Sequence, residues 1–479
     1  MKPFSILVFL SILNPIYLYS FCGFFVAQAD SKLFNNSSRV VLIRNEQKTT
    51  IGMMNDYKGD LKNFALVVPV PEVIKKSQIE TKKALLFDKL DAYTAPRLVD
   101  YFDPNPCPDV SARRRASRFS ETASARGLTA TEEARIMPVY TPRELGITIE
   151  ESYTVGEYDI EVLSAKYSSG LETYLLQNKY KIPEGASKAF KPYIKQDMKF
   201  FVAKVSLDTL KKGDTQFLSP LFFHFETPRF MLPIRLGMIN SEGEQDLFVF
   251  TLSRIGRVET KNYRTRKLPS DTELPEYIEN DFPNLYKTIF KRIVEKDKLE
   301  NVYTEYVWNL NQICDPCTAS PYSKDDLEEL GVDWLSASPE TGYQLLSDDV
   351  FLTRLHLRYT EKTFPEDLEF QETPDKDNFQ TRFIVHHPYS WHGDEAKCEC
   401  FREYMEKLQK RKKFWTDNLH SLTGMSKAEI TAKMNAYVPD RKKRNERLGK
   451  IWTGSSPFFR PVPIQYSNRF EEWFFNLGK

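Results

Sequence analysis

Alternation of apolar and polar side chains predicts several β-strands in this chain. In Val302–Leu310 (VYTEYVWNL) and Val350–Thr360 (VFLTRLHLRYT), side chains that share a face recur at every second residue. Both stretches are rich in β-branched and aromatic residues, which suit a pleated, partly buried surface. The same reasoning predicts further strands at Ser37–Arg44, Thr49–Asp56, Asn63–Pro71, Ile147–Val155, Tyr158–Ala165, Lys199–Leu207, Ser219–Ile239 and Asp246–Ser253.

Helical spacing of apolar residues is concentrated towards the C-terminus. It predicts an amphipathic helix over Pro283–Lys296, a longer helix over Glu399–Leu422 that ends at Gly424, and another that starts at Ser426. Shorter helices are predicted at Leu85–Leu90, at Ala95–Tyr101, and at Asp325–Leu330 between a Ser323 cap and Gly331, whereas Arg257–Leu274 reads as a polar connector. The pattern as a whole predicts an α+β fold with mixed or antiparallel sheets and a helical C-terminal part.

Changes in composition divide the chain into five parts. They are a signal peptide at 1–20, an N-terminal β-rich unit at 21–108, a basic linker or exposed loop at 109–140, a central α+β unit at 141–400, and a helical C-terminal part with an aromatic tail at 401–479. The arginines of the linker could bind an anionic lipid or polymer, but a solvated segment is the commoner use of such a charge run.

The N-terminus has the pattern of an export signal. One charge, Lys2, precedes the apolar run Phe4–Tyr19, and Ser20 is a small residue of the kind that signal peptidases accept. We expect the mature chain to start near Phe21. An uncleaved membrane anchor is a weaker alternative, because the apolar run is short for spanning a bilayer. A lipid attached to Cys22 is also a weaker alternative, because the bulky Phe21 occupies the position before it, where lipoprotein signals have a small residue. No later stretch is apolar and long enough to span a bilayer.

Composition excludes some classes of protein. Across 479 residues the formal net charge is +1, which gives no bulk attraction to nucleic acid. The sequence has no P-loop, HExxH or serine-nucleophile signature, and it indicates no cofactor. It identifies no partner, although an envelope protein or polymer would fit an exported chain.

The even number of cysteines, six, fits an exported protein with disulfides. The disulfide candidates are Cys22, Cys107, Cys314, Cys317, Cys398 and Cys400. We expect Cys22 to pair with Cys107. The second pairing is either within Cys314–Cys317 or from that pair to Cys398 and Cys400. Cys314 and Cys317 form a CDPC motif, which could also act as a redox pair or supply half of a zinc site. Pro321 shortly after the motif disfavours the helix start that a redox cysteine requires.

A second candidate site lies on one face of the strand Val350–Thr360. Arg354, His356 and Arg358 share that face and make a plausible anion-binding site. A solvent-facing or salt-bridged strand is the alternative, and we favour it because structural ion pairs are commoner than anion sites.

The segment Phe379–Cys400 contains enough ligand types for a metal. The candidates are His386, His387, His392, Cys398 and Cys400. Their spacing matches no strong zinc pattern, and adjacent His386 and His387 would point to opposite faces of a strand. A disulfide together with surface histidines is therefore the favoured alternative.

Several stretches together resemble one bacterial family, domain of unknown function 2330. They are FCGFFVAQAD, MMNDYKGDLKNFALVVPVP, LDAYTAPRLVDYFDPNPC, YTVGEYDIEVLSA, EYVWNLNQICDPC and LTRLHLRY, and they span most of the mature chain. The resemblance implies an exported bacterial protein with these cysteines, and it implies no activity and no catalytic residue.

Three functional hypotheses follow from the sequence. The first is a cell-envelope binding or structural module that disulfides stabilise. The second is a thiol-disulfide oxidoreductase that uses Cys314 and Cys317. The third is a metal-binding protein or metal-dependent hydrolase that uses the segment His386–Cys400.

Overall fold

The computed structural model describes residues 24–28, 34–58, 64–106, 142–178, 180–181, 186–205, 218–238, 243–312, 321–336, 348–390 and 399–439. The predicted signal peptide, basic linker and aromatic tail lie outside these residues. Within the described ranges, none of the helices combines the length and the apolar character needed to cross a membrane. The predicted α+β class is confirmed, with mixed sheets and helices near the C-terminus.

The strands are β1 (Phe24–Gln28), β2 (Phe34–Asn45), β3 (Lys48–Lys58), β4 (Phe64–Val70), β5 (Ile79–Thr81), β6 (Arg97–Phe102), β7 (Ile147–Val155), β8 (Tyr158–Ala165), β9 (Tyr180–Lys181), β10 (Lys199–Val205), β11 (Leu221–Glu226), β12 (Met231–Leu232), β13 (Gln245–Ser253), β14 (Val258–Thr260), β15 (Arg264–Lys267), β16 (Thr272–Leu274), β17 (Asn301–Asn309), β18 (Phe351–Tyr359), β19 (Leu368–Glu372), β20 (Phe379–Gln380) and β21 (Arg382–His387). The α-helices are α1 (Leu85–Thr94), α2 (Ser168–Gln177), α3 (Ala186–Lys195), α4 (Arg235–Met238), α5 (Phe282–Lys296), α6 (Lys324–Leu330), α7 (Glu399–Thr423) and α8 (Lys427–Ala436). Short 3-10 helices lie at Lys76–Gln78, Pro142–Leu145 and Glu276–Asn280.

Two large sheets pack face to face. One has the strand order β7-β8-β10-β4-β1-β9, and the other has β15-β17-β18-β13-β2-β3-β11-β5 with β20 paired to β17. Their inner faces share one apolar core, which includes Val68, Val162 and Phe201 from the first sheet and Leu42, Val249 and Leu355 from the second. Strands from 21–108 and from 141–400 are neighbours in both sheets.

Helices cover the outer faces of this sandwich. Phe190 and Leu171, from α3 and α2, pack on Val67 and Val202 of the first sheet. On the second sheet, α1 and α6 pack their apolar sides against strands β2, β13 and β18. Four layers result, in the order helix, sheet, sheet, helix, so each large sheet is buried on both faces. The alternating pattern of β18 suggests one exposed face, but the side chains on both of its faces are covered.

A small parallel sheet, separate in its strand pairing from the two large ones, positions the candidate site. Its order is β16-β21-β6, with Leu274 opposite Val385 and Val385 opposite Asp100. Helices α5, α7 and α8 cover it through an apolar cluster that contains Ile289, Leu419 and Ile430.

Short strands in this sheet and in others correct two sequence predictions. Ala95–Tyr101 was expected to be helical, but Arg97–Phe102 is strand β6, and helix α1 ends just before Pro96. Arg257–Leu274 was expected to be a connector, but it contains β14, β15 and β16. The partners of these short strands lie far away in sequence, so local periodicity does not reveal them.

A third correction concerns Ser219–Ile239, which was expected to be strand throughout. The strands are restricted to β11 and β12, and α4 follows at Arg235–Met238. Pro228 and Pro233 interrupt the segment because proline has no N–H to donate to a sheet.

Other elements agree with the sequence. β17, β18, α5, α7 and α8 lie where the patterns predict them. Ser323 caps α6 by accepting a hydrogen bond from the Asp326 N–H, and Gly331 ends the helix at φ 109°. The pairing of β17 with β18 contains one irregularity, because a bulge between Thr304 and Tyr306 leaves Glu305 opposite no residue of β18.

Candidate metal centre

The carboxyl ends of three parallel strands meet at one edge of the small sheet. Strand β6 brings Asp100 there, β21 brings His387, and β16 leads through Pro275 into the 3-10 helix that carries Glu276 and Glu279. This edge is where open α/β sheets commonly bind ligands, because the loops that leave the strands converge there.

His387 is the centre of this group and is 5% exposed. Its Nδ1 lies 2.9 Å from Glu276 Oε1, and its Nε2 lies 2.9 Å from Asp100 Oδ1 and 4.0 Å from Glu279 Oε2. The ring stacks on Phe102 with centroids 4.5 Å apart. Both ring nitrogens therefore face carboxylate oxygens, which can only accept hydrogen bonds when ionised.

The surroundings of His387 favour its protonated form. Burial lowers the pKa of His387, but the hydrogen bonds to Asp100 and Glu276 outweigh burial and raise the pKa to about 9. Without a metal, the ring is an imidazolium at neutral pH and donates from both nitrogens.

The same groups have the geometry of a metal site. Ligand atoms of Asp100, Glu279 and His387 lie within 4.8 Å of one another. An ion among them would replace the proton on Nε2, while Glu276 would hold Nδ1–H and fix the ring. A carboxylate on the far nitrogen is the usual support of a metal-binding histidine. One imidazole and two carboxylates suit Mn²⁺ or Zn²⁺ better than a soft ion that prefers sulfur ligands, such as Cu⁺.

The neighbouring His386 points to the other face of β21, as adjacent strand residues do. Its Nδ1 lies 3.8 Å from Asp103 Oδ1 and its Nε2 lies 3.6 Å from Glu273 Oε1. Helix α7 meets these carboxylates with Arg411, whose Nη1 donates to Asp103 at 3.0 Å, and with Trp415, whose Nε1 donates to Glu273 at 2.7 Å. This face of the sheet therefore holds α7 in place.

Among the described residues, the predicted metal ligands His386 and Cys400 are not part of this group. His392 and Cys398 lie outside the described residues, and Cys400 is exposed in the first turn of α7. Cys22, Cys107, Cys314 and Cys317 also lie outside the described residues, so the disulfide and CDPC hypotheses stay predictions.

The anion candidates Arg354 and His356 are buried, each 4% exposed, and both are paired with carboxylates of the protein. Glu305, which is fully buried, accepts from Arg354 Nε at 2.5 Å and from His356 Nδ1 at 2.7 Å. Asp246 accepts from Arg358 Nε and Nη2 at 2.8 and 2.7 Å. These three cations are therefore used inside the protein and form no open anion site.

Charge pairing sets the protonation states of this buried cluster. Burial would raise the pKa of Glu305, but His356 and Arg354 lower it to about 2. Burial would likewise raise the pKa of Asp246, but His356 and Arg358 lower it to about 2. Burial lowers the pKa of His356, yet Glu305 and Asp246 raise it above its ordinary value. The two carboxylates are thus ionised at neutral pH, and they favour the protonated form of His356.

Of the four residues of the candidate metal centre, only His387 was predicted from the sequence, and Asp100, Glu276 and Glu279 were not. Glu276 and Glu279 have a readable signal, since a spacing of three places side chains together on a 3-10 helix that follows Pro275. Asp100 has none, because it meets His387 only through the pairing of β6 with β21.

Comparisons with known proteins locate the chain in a family. No curated protein matches the sequence. A solved structure, the crystal structure of baculovirus P35, matches over 72% of this chain and 97% of that chain, with 9% sequence identity and a TM-score of 0.25. A score this low supports no argument about fold. The model of the family described as "Uncharacterized protein conserved in bacteria (DUF2330)" matches residues 17–371, so the chain belongs to this bacterial family, as its resemblance predicted.

Proposed function

We propose that this protein is an exported binding module of the bacterial cell envelope and that it binds one divalent metal ion through Asp100, Glu279 and His387. The observation that carries the proposal is the placement of His387, with Nε2 between Asp100 and Glu279 and Nδ1 on Glu276. In metal sites one histidine nitrogen binds the ion, and the other usually donates to a group that orients the ring, often a carboxylate.

The position of the group in the fold also supports metal binding. Asp100, Glu279 and His387 are more than 100 residues apart in sequence, yet they meet at the carboxyl edge of one parallel sheet. Phe102 and the helices α5, α7 and α8 pack around this sheet, which limits ligand movement. A purely structural ion-pair network is the competing explanation, and the two differ in what a metal titration shows.

The test is a calorimetric titration of the chelator-treated full chain with Mn²⁺ and with Zn²⁺. Its thiols should be blocked by alkylation, because thiolates bind Zn²⁺. We expect one ion per chain, and at least roughly tenfold weaker binding in Asp100→Asn and Glu279→Gln because each loses a ligand.

Asp271→Asn is the matched control for these variants. Asp271 pairs with Arg382 at the amino end of the same sheet, away from the proposed ligands, so its affinity should equal that of the wild type. Failure of the wild type to bind either ion stoichiometrically, or equal affinity in all the variants, would leave the ion-pair network as the explanation.

Export and disulfide bonding rest on sequence. Lys2 with the run Phe4–Tyr19 supports export, and six cysteines support structural disulfides in an oxidising compartment. Cell fractionation with N-terminal sequencing should find a chain outside the cytoplasm that starts near Phe21. Peptide mapping without reductant should recover Cys22 joined to Cys107. Full-length protein in the cytosol with reduced thiols would contradict both parts.

A further inference from the structure

The C-terminal end of α8 contacts the proposed metal centre through one tyrosine. Tyr437, the residue after α8, donates its hydroxyl hydrogen to Glu279 Oε1 at 2.5 Å. The other oxygen of that carboxylate, Oε2, is the one that faces His387 Nε2. Glu279 therefore divides its two oxygens between the C-terminal helix and the candidate metal position.

Other contacts already hold the C-terminal helices on the sheet. Ile430 of α8 is fully buried in the apolar cluster that also contains Ile278 and Leu419. On the opposite face, Tyr404 donates to Asp103 Oδ2 at 2.6 Å. Tyr437 thus adds a further contact that holds α8 on the sheet, and its acceptor, Glu279, belongs to the proposed metal centre.

We infer that Tyr437 is a positioning residue of the metal centre, and that metal binding and the docking of the α8 end stabilise each other. This inference rests on the proposed function. The hydroxyl occupies Oε1 and so presents Oε2 as a single-oxygen ligand with its orientation fixed. By linkage, whatever free energy the docked tyrosine adds to metal binding, the bound metal adds to docking.

The test compares Tyr437→Phe with the wild type by Mn²⁺ calorimetry on the full chain. The substitution keeps the ring and removes only the donor, so we expect Mn²⁺ affinity to fall by about 10- to 100-fold, the usual effect of losing a contact that supports a metal ligand. Tyr404→Phe is the matched control. It removes an equivalent hydroxyl-to-carboxylate bond on the other face of the sheet, where no ligand lies, and it should leave the affinity unchanged.

A second measurement tests the docking of α8 directly. Hydrogen exchange of Lys427–Ala436 should slow when Mn²⁺ is added to the wild type, and this slowing should be absent in Tyr437→Phe. Unchanged affinity in Tyr437→Phe together with unchanged exchange would overturn the inference and leave the metal site standing. Absence of Mn²⁺ binding in the wild type would overturn both.

Discussion

Glu305 and His356 meet inside the larger sheet although they are 51 positions apart, with Oε1 and Nδ1 at 2.7 Å. Glu305 lies at the bulge in β17, opposite no residue of β18, and its side chain is on the face where His356 and Arg354 lie. His356 in turn stacks on Phe290 of α5, with centroids 3.6 Å apart and an angle of 6° between the ring planes. A buried ionic cluster thus joins the sheet to the helix that also covers the small parallel sheet.

Removing the carboxylate of this cluster should destabilise the fold strongly. Glu305→Ala leaves Arg354 and His356 buried without their main partner, and breaking a buried pair in this way costs about 3–5 kcal/mol. Urea unfolding should show this loss in the free energy of unfolding. Glu300→Ala, an exposed carboxylate near the start of β17, should change it by less than about 0.5 kcal/mol. A comparably small loss in Glu305→Ala would show that the cluster contributes little.

Acid should destabilise the protein through Asp246 and Glu305. Their pKa values of about 2 lie below the unfolded values, so their stabilisation is complete above the unfolded pKa and is lost as the pH falls towards 2. Each carboxyl contributes on the order of 2–4 kcal/mol, because its pKa falls by about two units and one unit corresponds to about 1.4 kcal/mol.

The buried histidine of the cluster predicts the opposite slope on the alkaline side. The pKa of His356 is raised, so its contribution is complete below the unfolded pKa and disappears as the pH rises through the folded value. Unfolding free energies measured across pH should decline on both sides. In Asp246→Asn the acid slope should be shallower, and an identical slope in wild type and variant would refute the assignment.

Truncating Phe290 tests how far packing supports the cluster. The side chain is 1% exposed and contacts both His356 and Tyr303, so Phe290→Ala should cost about 3–5 kcal/mol of unfolding free energy. Phe414→Ala on α7 is the control, because Phe414 is 48% exposed and should cost less than about 1 kcal/mol. Equal losses of unfolding free energy in the two variants would show that the packing of Phe290 on His356 does not stabilise the fold.

Metal binding should release a proton from His387. Its pKa of about 9 means that the ring is an imidazolium at pH 7, and an ion can coordinate Nε2 only after that proton leaves. Affinity for Mn²⁺ should therefore rise with pH and level off near 9. Calorimetry in buffers of different ionisation enthalpy would count the protons released. His387→Asn should abolish binding and His386→Asn, on the opposite face, should retain it; the reverse result would move the site to the other face.

Local pattern determined the elements whose signals lie in their own residues. The two-residue period of β17 and β18, the helical stripe of α5, and the serine cap and glycine end of α6 need no distant partner to be read. The family was also predicted from short stretches of sequence, and the match over residues 17–371 confirms it.

Only the tertiary structure decided what is assembled at the sheet edge. Arg97–Phe102 carries no periodicity that distinguishes a short strand from a helical piece, and its identity as β6 depends on pairing with β21. That pairing places Asp100 beside His387, 287 positions away. In the same way, the contact of Glu305 with His356 and Arg354 depends on the register between β17 and β18. The sequence by itself determined the family and the elements whose signals are local, because those depend on neighbouring residues. The candidate metal centre and the buried ionic cluster depend on contacts between distant residues, which no local pattern specifies.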